Sequence, residues 1–247
     1  MATPISNTVT DLNFLVFPKI KPSCGPLFIT RSLETASGNI AGNGSFGLVN
    51  TGAKKLLITC CHILKEFREL SKRKPDLMLC VALTNVPEIL DLKNLIDENE
   101  KLDLVTFDME PMLSTCGGRE FFQLNCEYVH HVKKGDRLAV VGYPGRNRYE
   151  TNKAIFWGTT PHVLITEDIS NYSIVAKTSR IMNFDRELLS ERHENPYGGI
   201  SGSPCFLIQR YSLLQLVAFA TEHLTDLQIM KFTSLHCLNS DGTFKNC

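Results

Sequence analysis

The chain has 247 residues, 43% apolar and 21% charged, enough to bury a core without disulfide support. Its 26 basic residues match its 26 acidic ones, for a formal net charge of zero, which excludes a broad electrostatic attraction to nucleic acid or to an anionic membrane. No stretch approaches the roughly 18 consecutive apolar residues of a membrane-spanning helix.

The first twenty residues, MATPISNTVTDLNFLVFPKI, lack a basic segment followed by an apolar one, the pattern of a secretory leader. Together with nine cysteines, an odd number, this predicts reduced thiols in a cytoplasmic protein. From there the chain is dominated by short runs of β-branched and aromatic residues between turn clusters. Strands are predicted over 46–50, 56–61, 77–83, 102–109, 137–143, 154–159, 163–167, 173–177, 205–209, 213–220 and 229–233. Apolar residues at 63, 64, 67 and 70 predict one short helix over 62–70. Residues 92–96 and 186–192 could each form a helical turn or two. No regular strand–helix–strand alternation occurs, so the fold class is all-β and antiparallel, a sandwich or barrels. The least apolar segment near the middle, 125–136, divides the chain into an N-terminal unit, 1–125, and a C-terminal unit, 126–247.

Three segments can carry chemistry. In Tyr197-Gly198-Gly199-Ile200-Ser201-Gly202-Ser203-Pro204, small residues let the backbone turn tightly and let a carbonyl approach Ser201. The plainer reading is a glycine-rich turn. In Leu56-Leu57-Ile58-Thr59-Cys60-Cys61-His62, an apolar strand delivers a histidine to the start of a helix, where it can face a cleft or sit satisfied in the core. In Leu102-Asp103-Leu104-Val105, an aspartate opens an apolar strand, where it either caps a turn or orients a histidine.

Taken together, the three segments resemble the trypsin/chymotrypsin-like serine peptidases. Thr59-Cys60-Cys61-His62 is similar to the family's histidine motif, Asp103-Leu104-Val105-Thr106-Phe107 to its aspartate motif, and Gly199-Ile200-Ser201-Gly202-Ser203-Pro204 to its serine motif. They occur in the family's order. Gly44-Ser45-Phe46-Gly47-Leu48-Val49 and Val141-Gly142-Tyr143-Pro144-Gly145 resemble further family strands, so the likeness covers about residues 40–222. It implies two packed six-stranded antiparallel barrels. It also implies a serine endopeptidase with His62, Asp103 and Ser201 as triad, and an oxyanion hole from the N–H groups of Gly199 and Ser201. The substrate pocket would then have Asn195 at its floor and the strand through Ala218, Phe219 and Ala220 as its wall. With no acidic floor residue, a neutral residue before the cleaved bond is expected, although Glu222 lies just past the wall.

Secreted members carry an aspartate before the serine, where this chain has Ile200. No zymogen-type ion pair is therefore expected, and activity would be constitutive or controlled by ordering of the loop 183–199. No cofactor is expected. Neither is a metal site, because Cys60 and Cys61 are adjacent and project to opposite faces. The expected partners are a protein or peptide substrate and a regulatory protein, with no nucleic acid or membrane. Two other readings fit the residues. One is an inactive homologue that binds peptides along a strand edge. The other is an α/β-hydrolase using Ser201, Asp226 and His236.

Overall fold

A computed structural model describes residues 16–33, 40–84, 86–125, 131–150, 155–178, 199–209, 213–224 and 229–245. The N-terminal half forms strands β1 (Cys24–Thr30), β2 (Ile40–Asn50), β3 (Lys55–Thr59), β4 (Met78–Val81), β5 (Glu88–Ile89), β6 (Leu95–Asn99), β7 (Leu104–Asp108) and β8 (Phe122–Gln123). Helices α1 (Phe17–Ile20) and α2 (Cys61–Arg73) accompany them. The C-terminal half forms β9 (Arg137–Gly142), β10 (Arg148–Glu150), β11 (Ile155–Trp157), β12 (Thr160–Ile169), β13 (Ser173–Thr178), β14 (Pro204–Ile208), β15 (Leu214–Leu224) and β16 (Ile229–Ser234). The predicted helical turn at 186–192 lies outside the described residues.

The C-terminal strands close a six-stranded antiparallel barrel in the order β12-β13-β16-β15-β14-β9, while β10 and β11 make a separate hairpin ribbon. The N-terminal strands form one curved sheet in the order β5-β4-β1-β2-β3-β7-β6, with β8 added parallel to β2. This sheet is the counterpart of the other expected barrel, but its ladder does not close. Its two edge strands, β5 and β6, are consecutive in the chain, so the polypeptide itself crosses the gap. It does so through a 3₁₀ turn at Leu92–Asn94, capped by the Asp91 carboxylate accepting from the Lys93 N–H. A turn whose backbone groups bond within itself supplies no ladder to a neighbour.

The apolar runs are continuous rather than alternating because both faces of these strands are buried. In β3, Leu57 packs inside the first sheet while Leu56 and Ile58 face the second barrel. In β9, Leu138 and Val140 fill the closed barrel while Ala139 and Val141 face the first. The fold thus has three cores, one in each half and one between them. The interface core joins Val49, Leu104 and Cys24 to Phe206, Phe219 and Tyr143. Helix α2 lays Ile63, Leu64, Phe67 and Leu70 on the first sheet, on the predicted stripe. No described helix is long and apolar enough to cross a membrane.

Strand β1 escapes prediction because Gly25-Pro26 reads as a turn. Pro26 stands opposite Ser45, whose N–H is bonded to Ser201 rather than to β1, and the ladder to β4 begins only at Leu27. The missing proline N–H therefore removes no ladder bond. Cys24, Cys60, Cys61, Cys80, Cys116, Cys205 and Cys237 are all free and buried, acting as small apolar residues. Cys126 and Cys247 lie outside the described residues.

One half-buried cation ties the first sheet together. The Arg119 guanidinium donates to the carbonyls of Leu83 (2.8 Å), Ala82 (2.9 Å), Lys21 (3.2 Å) and Cys24. Arg119→Met would keep much of the aliphatic stem and strand these carbonyls. We expect it to lower unfolding free energy by roughly 2–4 kcal/mol, measured by urea denaturation. A loss below about 0.5 kcal/mol would show that water replaces the guanidinium at no cost.

Candidate active site

His62 and Asp103 meet because of what ends β3 and what precedes β7. Strand β3 stops at Thr59, and α2 begins two residues later with no side-chain cap from its own N-cap residue, Cys60. The first N–H groups of a helix have no partners within it. Asp103 supplies them from 41 residues away: its Oδ1 accepts from the His62 N–H at 2.8 Å, and its backbone carbonyl accepts from the Cys61 N–H at 3.2 Å. Its other oxygen, Oδ2, lies 2.7 Å from His62 Nδ1. One carboxylate therefore caps the helix and fixes the imaginary axis of the ring through Nδ1, leaving Nε2 directed elsewhere.

Asp103 takes a conformation that favours glycine, with φ 51°, alone among the described non-glycine residues. Such a conformation costs on the order of 1 kcal/mol. The two bonds to α2 oppose that cost. A third element holds the turn from the other half: the Thr233 hydroxyl of β16 donates to the carbonyl of Leu102 at 2.7 Å.

Ser201 sits on a tight turn between Gly199 and β14. Gly199 has φ 102° and Gly202 has φ 87°. A Cβ on Gly199 would lie 2.0 Å from the Asn43 side chain, and one on Gly202 would lie 2.0 Å from the Ser45 carbonyl oxygen. The turn needs glycine at both positions because it is pressed against β2 of the other half. Ser203 N–H donates to the Ile200 carbonyl at 2.9 Å. That fixes the planar peptide carrying the Ser201 N–H, which points away from Ser203. The peptide carrying the Gly199 N–H begins at Gly198, outside the described residues. Ile200 is 2% exposed and belongs to the core of the closed barrel, an apolar place in which a carboxylate would be costly.

Sequence reasoning missed the clamp on this turn, Ser45. It is fully buried on β2, with every polar group used. Its N–H donates to the Ser201 carbonyl (2.8 Å) and its hydroxyl donates to the Gly199 carbonyl (2.7 Å). The same hydroxyl accepts from the Tyr143 N–H (3.0 Å), and the Ser45 carbonyl accepts from the Thr59 hydroxyl (2.7 Å). The motif containing Ser45 was legible, but the function of a serine within it depends on a partner 154 residues away.

His62, Asp103 and Ser201 line one cleft of about 500 Å³, together with Lys101, Leu102, Tyr172, Thr221, Glu222, His223 and Lys231. The expected wall residues do not. Ala218, Phe219 and Ala220 are buried inside the barrel or between the halves. The β15 strand runs on to Leu224, and a bulge between Ala220 and Glu222 shifts its register on β16. The cleft is therefore lined by the next three residues, Thr221, Glu222 and His223. Asn195, the expected floor residue, lies outside the described residues, as does most of the loop 183–199.

The charges beside this wall offset each other: Glu222 and Lys231 face each other at 4.0 Å. Burial pushes His223 down to about 4 from an ordinary 6.5, so its imidazole is neutral near pH 7. The unfolded chain protonates this histidine near pH 6.5, while the folded chain resists until about pH 4. His223 thus favours folding above its unfolded value, and that share is lost as pH falls from 6.5 to about 4. Urea midpoints of the wild type should drop more steeply over that window than those of His223→Gln. Parallel curves would show that burial does not hold His223 neutral.

No protein-family model matches the sequence, and no curated protein matches it. Solved structures do match. A serine endoprotease from Yersinia pestis is similar with a TM-score of 0.53 at 14% identity, over 87% of this chain and 59% of that one. The fold is trypsin/chymotrypsin-like. This chain thus spans somewhat over half the length of the Yersinia protein. A thermostable serine protease from an extremophilic microorganism aligns over 87% of this chain and 91% of its own, with a TM-score of 0.49 at 11% identity. The fold rules out the α/β-hydrolase. The described strands contain a single parallel pair, the two-residue contact of β8 with β2. His236 stacks on His131, with ring centroids 4.5 Å apart, and Asp226 lies outside the described residues.

Proposed function

We propose that this protein is a serine endopeptidase working through an acyl-enzyme. The observation that supports this best is the two-point attachment of Asp103 to His62, at the mouth of a cleft that Ser201 also lines. In this reading Ser201 Oγ attacks the scissile carbonyl while His62 Nε2 takes its proton. The tetrahedral intermediate collapses as His62 returns that proton to the leaving amine. Water then repeats the sequence on the acyl-enzyme. Asp103 keeps the Nδ1 proton in place and stabilises the imidazolium. The N–H groups of Gly199 and Ser201 receive the developing oxyanion, in a turn that Ser45 holds before substrate arrives.

The substrate binds as an extended strand. The ladder from β14 to β15 ends at Phe219, so residues 222–224 pair with β16 on one side and offer their other side to a peptide. Neutral His223 and the paired Glu222 and Lys231 favour an uncharged residue before the cleaved bond. Seven buried thiols suit a reducing compartment such as the cytoplasm.

A fluorophosphonate probe tests the reading. It should label folded wild-type protein at Ser201 and fail to label Ser201→Ala. Absence of labelling in folded wild type would favour the peptide-binding module instead. A peptide library should show cleavage after uncharged residues; cleavage confined to sites after Lys, Arg, Asp or Glu would overturn the assignment of the wall.

A further inference from the structure

The mechanism leaves one nucleophilic group beside the triad without a task. Cys60, between β3 and α2, is fully buried, with its thiol donating to the Ala220 carbonyl at 3.1 Å. Its Sγ, a ring nitrogen of His62 and a carboxylate oxygen of Asp103 all lie within 4.8 Å of one another. Cys61 is not part of this group. Adjacent side chains do splay apart along a strand, but the chain passes from extended at Cys60 into α2 at Cys61, and Cys60 and His62 come together there with Asp103 closing the triangle.

We propose that Cys60, His62 and Asp103 form a three-ligand site for Zn²⁺ or a similar borderline-soft divalent cation, and that its occupation switches the triad off. One thiolate, one imidazole and one carboxylate are the donor types zinc takes. In a tetrahedral site bonded at about 2.0–2.3 Å, the ligand atoms stand farther apart than the 2.7 Å between His62 Nδ1 and Asp103 Oδ2. The ion therefore has to part that pair. The movement is available, since the His62 and Asp103 side chains are 47% and 28% exposed on the cleft. The fourth position faces the cleft and takes water. Binding replaces the Cys60 S–H bond with an S–Zn bond and releases one proton to solvent. It also replaces the Nδ1–H bond with an Nδ1–Zn bond, the ring proton passing to Nε2, so His62 loses its partner and the lone pair that would take the Ser201 proton. The ion is an inhibitor, not a cofactor.

That binding should inhibit rests on the peptidase reading; the binding itself does not, and the test separates the two. Purified full-length protein, kept reduced, is titrated with Zn²⁺ against a cleaved peptide, and with Co²⁺ in a spectrophotometer. We expect one equivalent of Zn²⁺ to abolish cleavage, with recovery on adding EDTA. Co²⁺ should give a thiolate-to-metal charge-transfer band. In Cys60→Ala that band should vanish, and the half-inhibitory Zn²⁺ concentration, relative to the variant's own metal-free rate, should rise by roughly tenfold or more. Cys61→Ala should retain the band. A Co²⁺ band that survives in Cys60→Ala, or equal Zn²⁺ sensitivity of Cys60→Ala and wild type, would overturn the site. Should no peptide be cleaved at all, the peptidase reading fails, and the Co²⁺ band still decides whether the site exists.

Discussion

Ser201→Ala is expected to lower kcat for peptide hydrolysis by roughly 10⁴-fold or more, with little change in KM. Removing the attacking oxygen leaves binding along β15 and the backbone donors of the turn intact. A small residual rate over water should therefore persist. Stability should change by less than about 0.5 kcal/mol, because the turn is held by backbone groups: the Ser201 carbonyl to Ser45, the Gly202 N–H to the Ala220 carbonyl, and the Ser203 N–H to the Ile200 carbonyl. Steady-state kinetics paired with urea denaturation checks both halves. A folded Ser201→Ala within tenfold of wild type would place the nucleophile elsewhere.

Asp103→Asn is expected to cost about 10⁴-fold in kcat as well, for a different reason. An amide in this position presents an N–H to one His62 bond, which favours the wrong tautomer and no longer stabilises imidazolium. Its oxygen can still accept from the His62 N–H and cap α2, so the loss of stability should stay within about 1 kcal/mol. Asp103→Ala removes the cap while keeping a side chain in the left-handed region. It should be less stable than Asp103→Asn by roughly 1–2 kcal/mol, with a similar kcat. The pair separates the chemical duty of Asp103 from its structural one. A kcat for Asp103→Asn within a few-fold of wild type would remove Asp103 from the triad. Asp108 could not replace it: it sits at the far end of β7, roughly 13 Å along an extended strand, where it is paired with Lys54.

The readable and unreadable parts of this protein differ in range. Apolar periodicity located strands such as β3 and β9, because burial on both faces demands apolar side chains whatever the partner strand is. It located α2, because a stripe at 63, 64, 67 and 70 has one way to be buried. It could not reveal β1, whose glycine and proline are tolerated by a register that only pairing fixes. Nor could it reveal the open ladder of the first sheet, since nothing local says whether two edge strands will meet.

The same division runs through the cleft. The motifs named His62, Asp103 and Ser201 because their chemistry and local backbone needs leave a mark on neighbouring residues, such as the small residues around Ser201. The wall was placed three residues too early because a single bulge in β15 decides where the side chains of the strand point. Ser45 and Cys60 lie within readable motifs, but nothing local marks what either does. Ser45 acquires its meaning from the turn at Gly199–Ser201 in the other half, and Cys60 from Asp103, which strand pairing sets beside it. The odd number of cysteines and the zero net charge set the chemical terms from the sequence alone: thiols as core residues, and no long-range pull on a charged partner. Cys60 stands two residues from His62 in the chain, but the carboxylate that closes the triangle comes from Asp103, 41 residues beyond His62, and that contact exists only because β3 and β7, far apart in the chain, pair.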